Sequence, residues 1–190
     1  YGTKLLRERA ASVAAVDLDP ACAERAGGTC ANAADLPFPP GSFDVVVCFE
    51  LIEHVDEPEA IVAELGRVLH PNGIALISTP NRPIYSDRAG NRNPFHRREL
   101  DRDEFERMLG EHFAATRCFR QSIWAGSWIA PVDERGSERQ VESLVAPLHE
   151  DGPRAPWAAD DDASLPTALY FLAAAGHSAG AIDRAGLSLD

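Results

Sequence analysis

The chain has 190 residues, a length suited to one domain with a sizeable core, and its 45% apolar and 25% charged content is that of an ordinary globular protein. A formal charge of −12 argues against a surface built to neutralise phosphates, because non-specific nucleic-acid affinity comes from clustered Lys and Arg and the nearest thing here is the short pair Arg97-Arg98. No apolar stretch approaches the ~20 residues of a membrane span, no signal peptide is visible, and Cys22, Cys30, Cys48 and Cys118 have neither metal-finger spacing nor the density of a disulfide framework, so neither nucleic acid nor membrane is an expected partner and a cytoplasmic setting is expected.

In chain order, Lys4 to Ala11 reads as the tail of a helix, Val13 to Leu18 as an apolar strand, and Pro20 as the opening of a helix over Ala21 to Ala26. The run Asp35 to Asp44, DLPFPPGSFD, contains a turn at Pro39-Pro40-Gly41-Ser42. Phe43 to Phe49 is nearly all apolar and of strand length, which predicts a strand buried on both faces. If the backbone turns helical after Phe49, then Glu50, Glu53 and His54 fall at i, i+3 and i+4 on one face and two carboxylates and an imidazole can converge. Such a set, rich in oxygen, suits Mg²⁺ or Mn²⁺ better than zinc. The next helix carries Asp56 and Glu59 in capping-box spacing, Pro58 in its first turn, and Ile61, Val62, Leu65, Val68 and Leu69 on one face. His70-Pro71-Asn72-Gly73 stops it, and Ile74 to Thr79 follows as a strand.

A polar loop, Asn81 to Arg98, precedes a helix from about Asp101 to His112, and a loop of this length usually serves a function such as covering a substrate. Thr116 to Trp124 and Ala168 to Ala175 are expected to pair antiparallel at the sheet edge. Pro131 to Pro166 reads as an irregular insertion with one short helix, Ser137 to Val145, within a single domain of residues 1–190. His70, His112, His149 and His177 read as structural or solvated. The alternation of strand and helix predicts an α/β fold, a doubly wound and mostly parallel sheet with helices on both faces and an antiparallel edge strand.

Asp17, the whole string DLPFPPGSFD at its distance from Asp17, and the ExxEH run together resemble the class I S-adenosylmethionine-dependent methyltransferases, and the likeness extends from Tyr1 to at least Phe113. It implies a Rossmann-like fold and S-adenosylmethionine as cofactor. It further implies that Tyr1-Gly2 end a glycine-rich turn around the methionine moiety, close to the ~20 residues that separate such a turn from a ribose carboxylate. Asp17 would then accept the ribose hydroxyls, Asp35 the adenine amine, the Leu36 amide would donate to the ring, and Leu18 and Phe49 would line the same cofactor. The plainer reading of Asp17 is an aspartate capping the helix after Pro20.

The family's first strand is central, and these residues do not supply it, so an N-terminally truncated chain or a gap in the sheet is expected. The ExxEH run is similar to that of small-RNA 2′-O-methyltransferases and ubiquinone-pathway O-methyltransferases. That likeness implies a divalent ion at Glu50, Glu53, His54 and His96, with His54 or His96 as general base if there is none. The expected reaction is O-methylation of a small-molecule or glycan hydroxyl; a phenol or quinol acceptor is the second reading, and a non-catalytic Rossmann-like binding domain the third.

Overall fold

The computed structural model describes residues 2–88, 90, 92–121 and 169–184. Tyr1, Trp124, the expected insertion 131–166 with its helix, and His149 lie outside the described residues. Helices α1 (Gly2–Arg7), α2 (Pro20–Ala26), α3 (Pro58–Val68), α4 (Arg102–His112) and α5 (Ala179–Arg184) are interleaved with strands β1 (Val16–Asp17), β2 (Thr29–Cys30), β3 (Phe43–Phe49), β4 (Leu69–Pro80), β5 (Ala115–Gln121) and β6 (Tyr170–Gly176).

The strands form two ladders, β1 with β2 and, separately, β3-β4-β6-β5. Both β1–β2 and β3–β4 are parallel, whereas β6 is antiparallel to β4 and to β5. Hence β5 runs the same way as β3 and β4, and the reversed strand lies one position in from the edge. This is the expected Rossmann-like α/β arrangement, and the expected gap is present too: among the described residues no strand joins β1 to β3.

Period-two alternation sorts the side chains of the larger sheet onto two faces. Ala75, Ile77, Phe171, Ala173 and Ala175 pack with Ile61, Val62 and Leu65 of α3 and Phe105 and Leu109 of α4. Each such large side chain contributes roughly 1.5–3 kcal/mol when fully buried. On the opposite face Ile74 and Ala174 meet Ile182 of α5, a helix for which the sequence analysis carries no expectation.

Strand β3 differs from its reading. Cys48 is buried, but Val45 and Phe49 are both 52% exposed and Val47 is 37% exposed. Nothing among the described residues covers that face, so the apolar run is buried on one side only. Gly73 is required where β4 passes β3, since a Cβ there would lie 2.7 Å from the Asp44 carbonyl oxygen.

The helix ends follow their caps. Asp19 caps α2 by accepting from the amides of Ala21 and Cys22, and Gly27 closes it in the left-handed conformation. For α3 the expected Asp56/Glu59 box does not form: Glu57 is the cap residue without a side-chain bond, and Glu59 pairs with Arg98 at 2.6 Å instead. The reciprocal box belongs to Asp101 and Glu104 of α4. Helix α1 ends at Arg7, short of Ala11. No helix among the described residues is long and apolar enough to cross a membrane.

Candidate functional site

In open α/β sheets ligands bind beyond the carboxyl ends of the strands. Asp17 ends β1 there, and its Oδ1 accepts from the Asp19 amide at 2.9 Å. Because Asp19 itself caps α2, the plainer reading of Asp17 as the cap does not hold, and the Asp17 side chain is exposed. Leu18, 71% exposed, and Phe49 lie just beyond and at the ends of their strands and offer uncovered apolar surface at this end of the sheet. Gly2 opens α1.

The segment after β2 is shaped by its own turn and by α3. Asn32 Oδ1 accepts from the Ala34 amide at 3.0 Å and the Asn32 carbonyl from the Asp35 amide at 3.0 Å. The Leu36 amide donates to Glu64 Oε2 at 2.8 Å, which corrects its expected role: this donor is already committed within the protein. Arg67 completes the latch by donating to the carbonyls of Phe38 (2.8 Å) and Leu36 (3.0 Å) and to both oxygens of Glu64 (2.5 and 2.7 Å). The Arg67 guanidinium holds the Glu64 carboxyl below its ordinary range.

Asp35 is exposed. Asn32, which the sequence reading passed over, is also exposed and directly follows Ala31, whose amide donates to the Asp17 carbonyl at 3.0 Å. The signal available in the sequence was its place as the first polar side chain after the short strand β2.

On the other side of Phe49 the expected helix is replaced by a tighter turn. Glu50 has φ +52°, the left-handed region that costs a non-glycine residue about 1–3 kcal/mol, and only Ile52–His54 form a single 3₁₀ turn. The i, i+3, i+4 face therefore does not exist, and Glu50 turns aside, its Oε1 accepting from the Ser78 hydroxyl at 2.7 Å. Three of the four expected ligands do converge: one donor atom each from Glu53, His54 and His96 lie within 4.8 Å of one another.

The loop brings His96 there through its main chain, the amides of Arg97 (2.7 Å) and Arg98 (3.2 Å) donating to the Glu53 carbonyl. His54 Nδ1 lies 3.1 Å from the Phe95 carbonyl. A carbonyl only accepts, so Nδ1 carries the proton and Nε2 keeps its lone pair.

Glu53 is 1% exposed, and neither carboxylate oxygen has a hydrogen-bond donor among the described residues. Burial pushes its carboxyl above the ordinary range, with Glu50 adding to the rise; Glu50 itself is raised by desolvation against the Ser78 bond. His54 Nε2 lies 3.8 Å from Glu53 Oε1, beyond hydrogen-bond reach, and a buried carboxylate without a donor beside two imidazoles fits a divalent cation. Tyr85 stacks on the His96 ring at 5.5 Å and 28°, and Tyr85 and Tyr170 meet at 5.7 Å, which gives the site one aromatic wall.

The family profile described as "Methyltransferase domain" matches residues 1–77. A Mycobacterium tuberculosis protein named "Probable S-adenosylmethionine-dependent methyltransferase" is 34% identical over 187 residues, covering 93% of this chain and 67% of its own length. The chain belongs to the class I S-adenosylmethionine-dependent methyltransferases. S-adenosylmethionine is accordingly the methyl donor of this methyltransferase. Over a shorter stretch of 47 residues, 25% of this chain and 19% of the relative, it is 49% identical to the ubiquinone biosynthesis O-methyltransferase of Idiomarina loihiensis. Among solved structures, a SAM-dependent methyltransferase from Archaeoglobus fulgidus superposes with a TM-score of 0.60 at 15% identity, over 90% of this chain and 79% of that one, a likeness of fold alone.

Proposed function

We propose that this methyltransferase transfers its methyl group to a hydroxyl oxygen of a small molecule or glycan, assisted by a divalent cation, Mg²⁺ or Mn²⁺, at Glu53, His54 and His96. One observation carries the reading: the Glu53 carboxylate is buried without a donor and faces two histidines. When bound, such an ion supplies Lewis acidity that lowers the pKa of an acceptor hydroxyl. Glu53 provides the negative charge that an ion needs, His54 and His96 provide neutral nitrogen, and Tyr85 and Tyr170 shield one side from water.

On the donor side Asp17 accepts the ribose hydroxyls, Asp35 or its neighbour Asn32 the adenine amine, and Leu18, Phe49 and Gly2 bound the nucleoside and methionine moieties. The acceptor hydroxyl gives up its proton to water, its oxygen attacks the sulfonium methyl in line, a carbon–oxygen bond forms as the carbon–sulfur bond breaks, and S-adenosylhomocysteine leaves. Alignment of two held reactants accounts for roughly 7–11 kcal/mol of such a barrier.

A phenol or quinol acceptor is the second reading, supported by the 49% match to a ubiquinone biosynthesis O-methyltransferase. Both acceptor classes are proposed over nucleic acid on the charge of −12, and a cytoplasmic setting on the four free thiols. The deciding experiment is methyl transfer by the full-length protein to a panel of sugars and catechols, with and without chelator. Loss of activity in chelator, restored by Mn²⁺, is expected. Activity that survives chelation sinks the cation reading and assigns proton removal to His54 or His96 at Nε2.

A further inference from the structure

The His96 ring is held more firmly than a solvated loop histidine needs. Its Nδ1 makes a short hydrogen bond to Glu99 Oε1, and the other oxygen of Glu99 accepts from the Ser86 hydroxyl. Both side chains of this pair are nearly buried, 7% exposed for His96 and 9% for Glu99. Tyr85 lies over one face of the ring, and His54 meets it edge-on at 4.9 Å. Glu99 stands outside the Glu50–His54 run, at the end of the long loop just before α4, and the reaction as described gives it no part.

A carboxylate can only accept, so a neutral His96 bonded to Glu99 carries its proton on Nδ1 and keeps Nε2 as the free nitrogen. His54 reaches the same state through the Phe95 carbonyl. Two imidazoles with the same tautomer beside an orphaned carboxylate form a donor set whose charge and lone pairs all suit a cation.

We propose that Glu99, steadied by Ser86, is a positioning residue that fixes His96 as the Nδ1–H tautomer and presents Nε2 to the ion held with Glu53 and His54. The proposal rests on the cation reading given under Proposed function. Outer partners of ligating histidines typically govern affinity by about 10- to 100-fold. Glu99→Gln keeps the shape but lets the amide donate to Nδ1, which frees the ring to adopt the opposite tautomer.

The test uses the full-length chain and two readouts. In metal-free protein at pH 8, long-range ¹⁵N–¹H correlation spectra should show the Nδ1–H pattern for His96 in the wild type and a mixed pattern in Glu99→Gln. Titration with Mn²⁺ should show affinity lowered about 10- to 100-fold in Glu99→Gln and less in Ser86→Ala, with S-adenosylhomocysteine affinity and melting temperature unchanged. A wild type that takes no Mn²⁺, while Glu99→Gln still changes the tautomer, refutes the cation reading and upholds Glu99 as the group that sets His96. An unchanged tautomer together with unchanged Mn²⁺ affinity overturns the proposal.

Discussion

Replacing Glu53 by glutamine is expected to make the metal-free protein more stable. The side chain is 1% exposed, and both of its oxygens lack donors among the described residues. An unsatisfied buried polar group costs about 1–3 kcal/mol, and more when charged. The carboxamide has the same shape without the charge, so at pH 7.5 in chelator the gain is about 1–3 kcal/mol, or about 2–12 °C in melting temperature for a chain of this size. The sign with pH follows from the raised carboxyl: its folded pKa lies above the unfolded value, so the penalty is absent at low pH and grows as pH rises through the folded pKa. The advantage of Glu53→Gln is therefore least at acid pH and reaches its full size above the raised folded pKa. Mn²⁺ should reverse the order by binding the folded wild type and not the variant. Thermal melts of both proteins in chelator from pH 4 to pH 8 check this, and a variant that melts below the wild type throughout would falsify the view of Glu53 as a buried charge without a hydrogen-bond donor.

Asp17→Ala should weaken S-adenosylhomocysteine binding roughly 10- to 150-fold, the equivalent of about 1.5–3 kcal/mol for hydrogen bonds to a charged group. Its melting temperature should hold, because α2 is capped by Asp19; calorimetry showing wild-type affinity would remove Asp17 from the cofactor site. Glu64, held below its ordinary range by Arg67 with help from the Leu36 amide, lends stability that is present above the unfolded pKa and is lost as pH falls through the lowered folded value. Glu64→Gln should therefore flatten the acid side of the stability profile and weaken S-adenosylhomocysteine binding by loosening the 31–38 segment; superimposable acid melts would show that the latch carries no load.

The parallel half of the fold was legible because its signals are local. Pro20 and the apolar runs of β3 and α3 mark elements whose period survives in any context. Residues whose state depends on distant partners were not legible. Glu50 reads as the start of a helix, yet Ser78, from β4, draws its side chain away and its backbone is left-handed. Asp56 and Glu59 have the spacing of a cap, yet Arg98 claims Glu59 across the loop. The Leu36 amide was assigned to a ligand because nothing near it in sequence announces Glu64 as its acceptor. Conversely, the convergence of His96 with Glu53 and His54 was foreseen, although the main-chain bonds from Arg97 and Arg98 that produce it have no sequence signature. Glu99 carried one faint clue, its i+3 spacing from His96.

The groups proposed for the methyl donor all fall between Gly2 and Asp35 or at the tip of β3, whereas Glu53, His54, His96 and Glu99 lie beyond the bend at Glu50. These two stretches do not overlap in sequence, yet Glu64 and Arg67 of α3, from within the second, hold Leu36 and Phe38 at the end of the first. A graft that replaced the segment following that bend to retarget the enzyme to another acceptor would therefore have to carry Glu64 and Arg67 with it, or the nucleoside side would slacken along with the exchange.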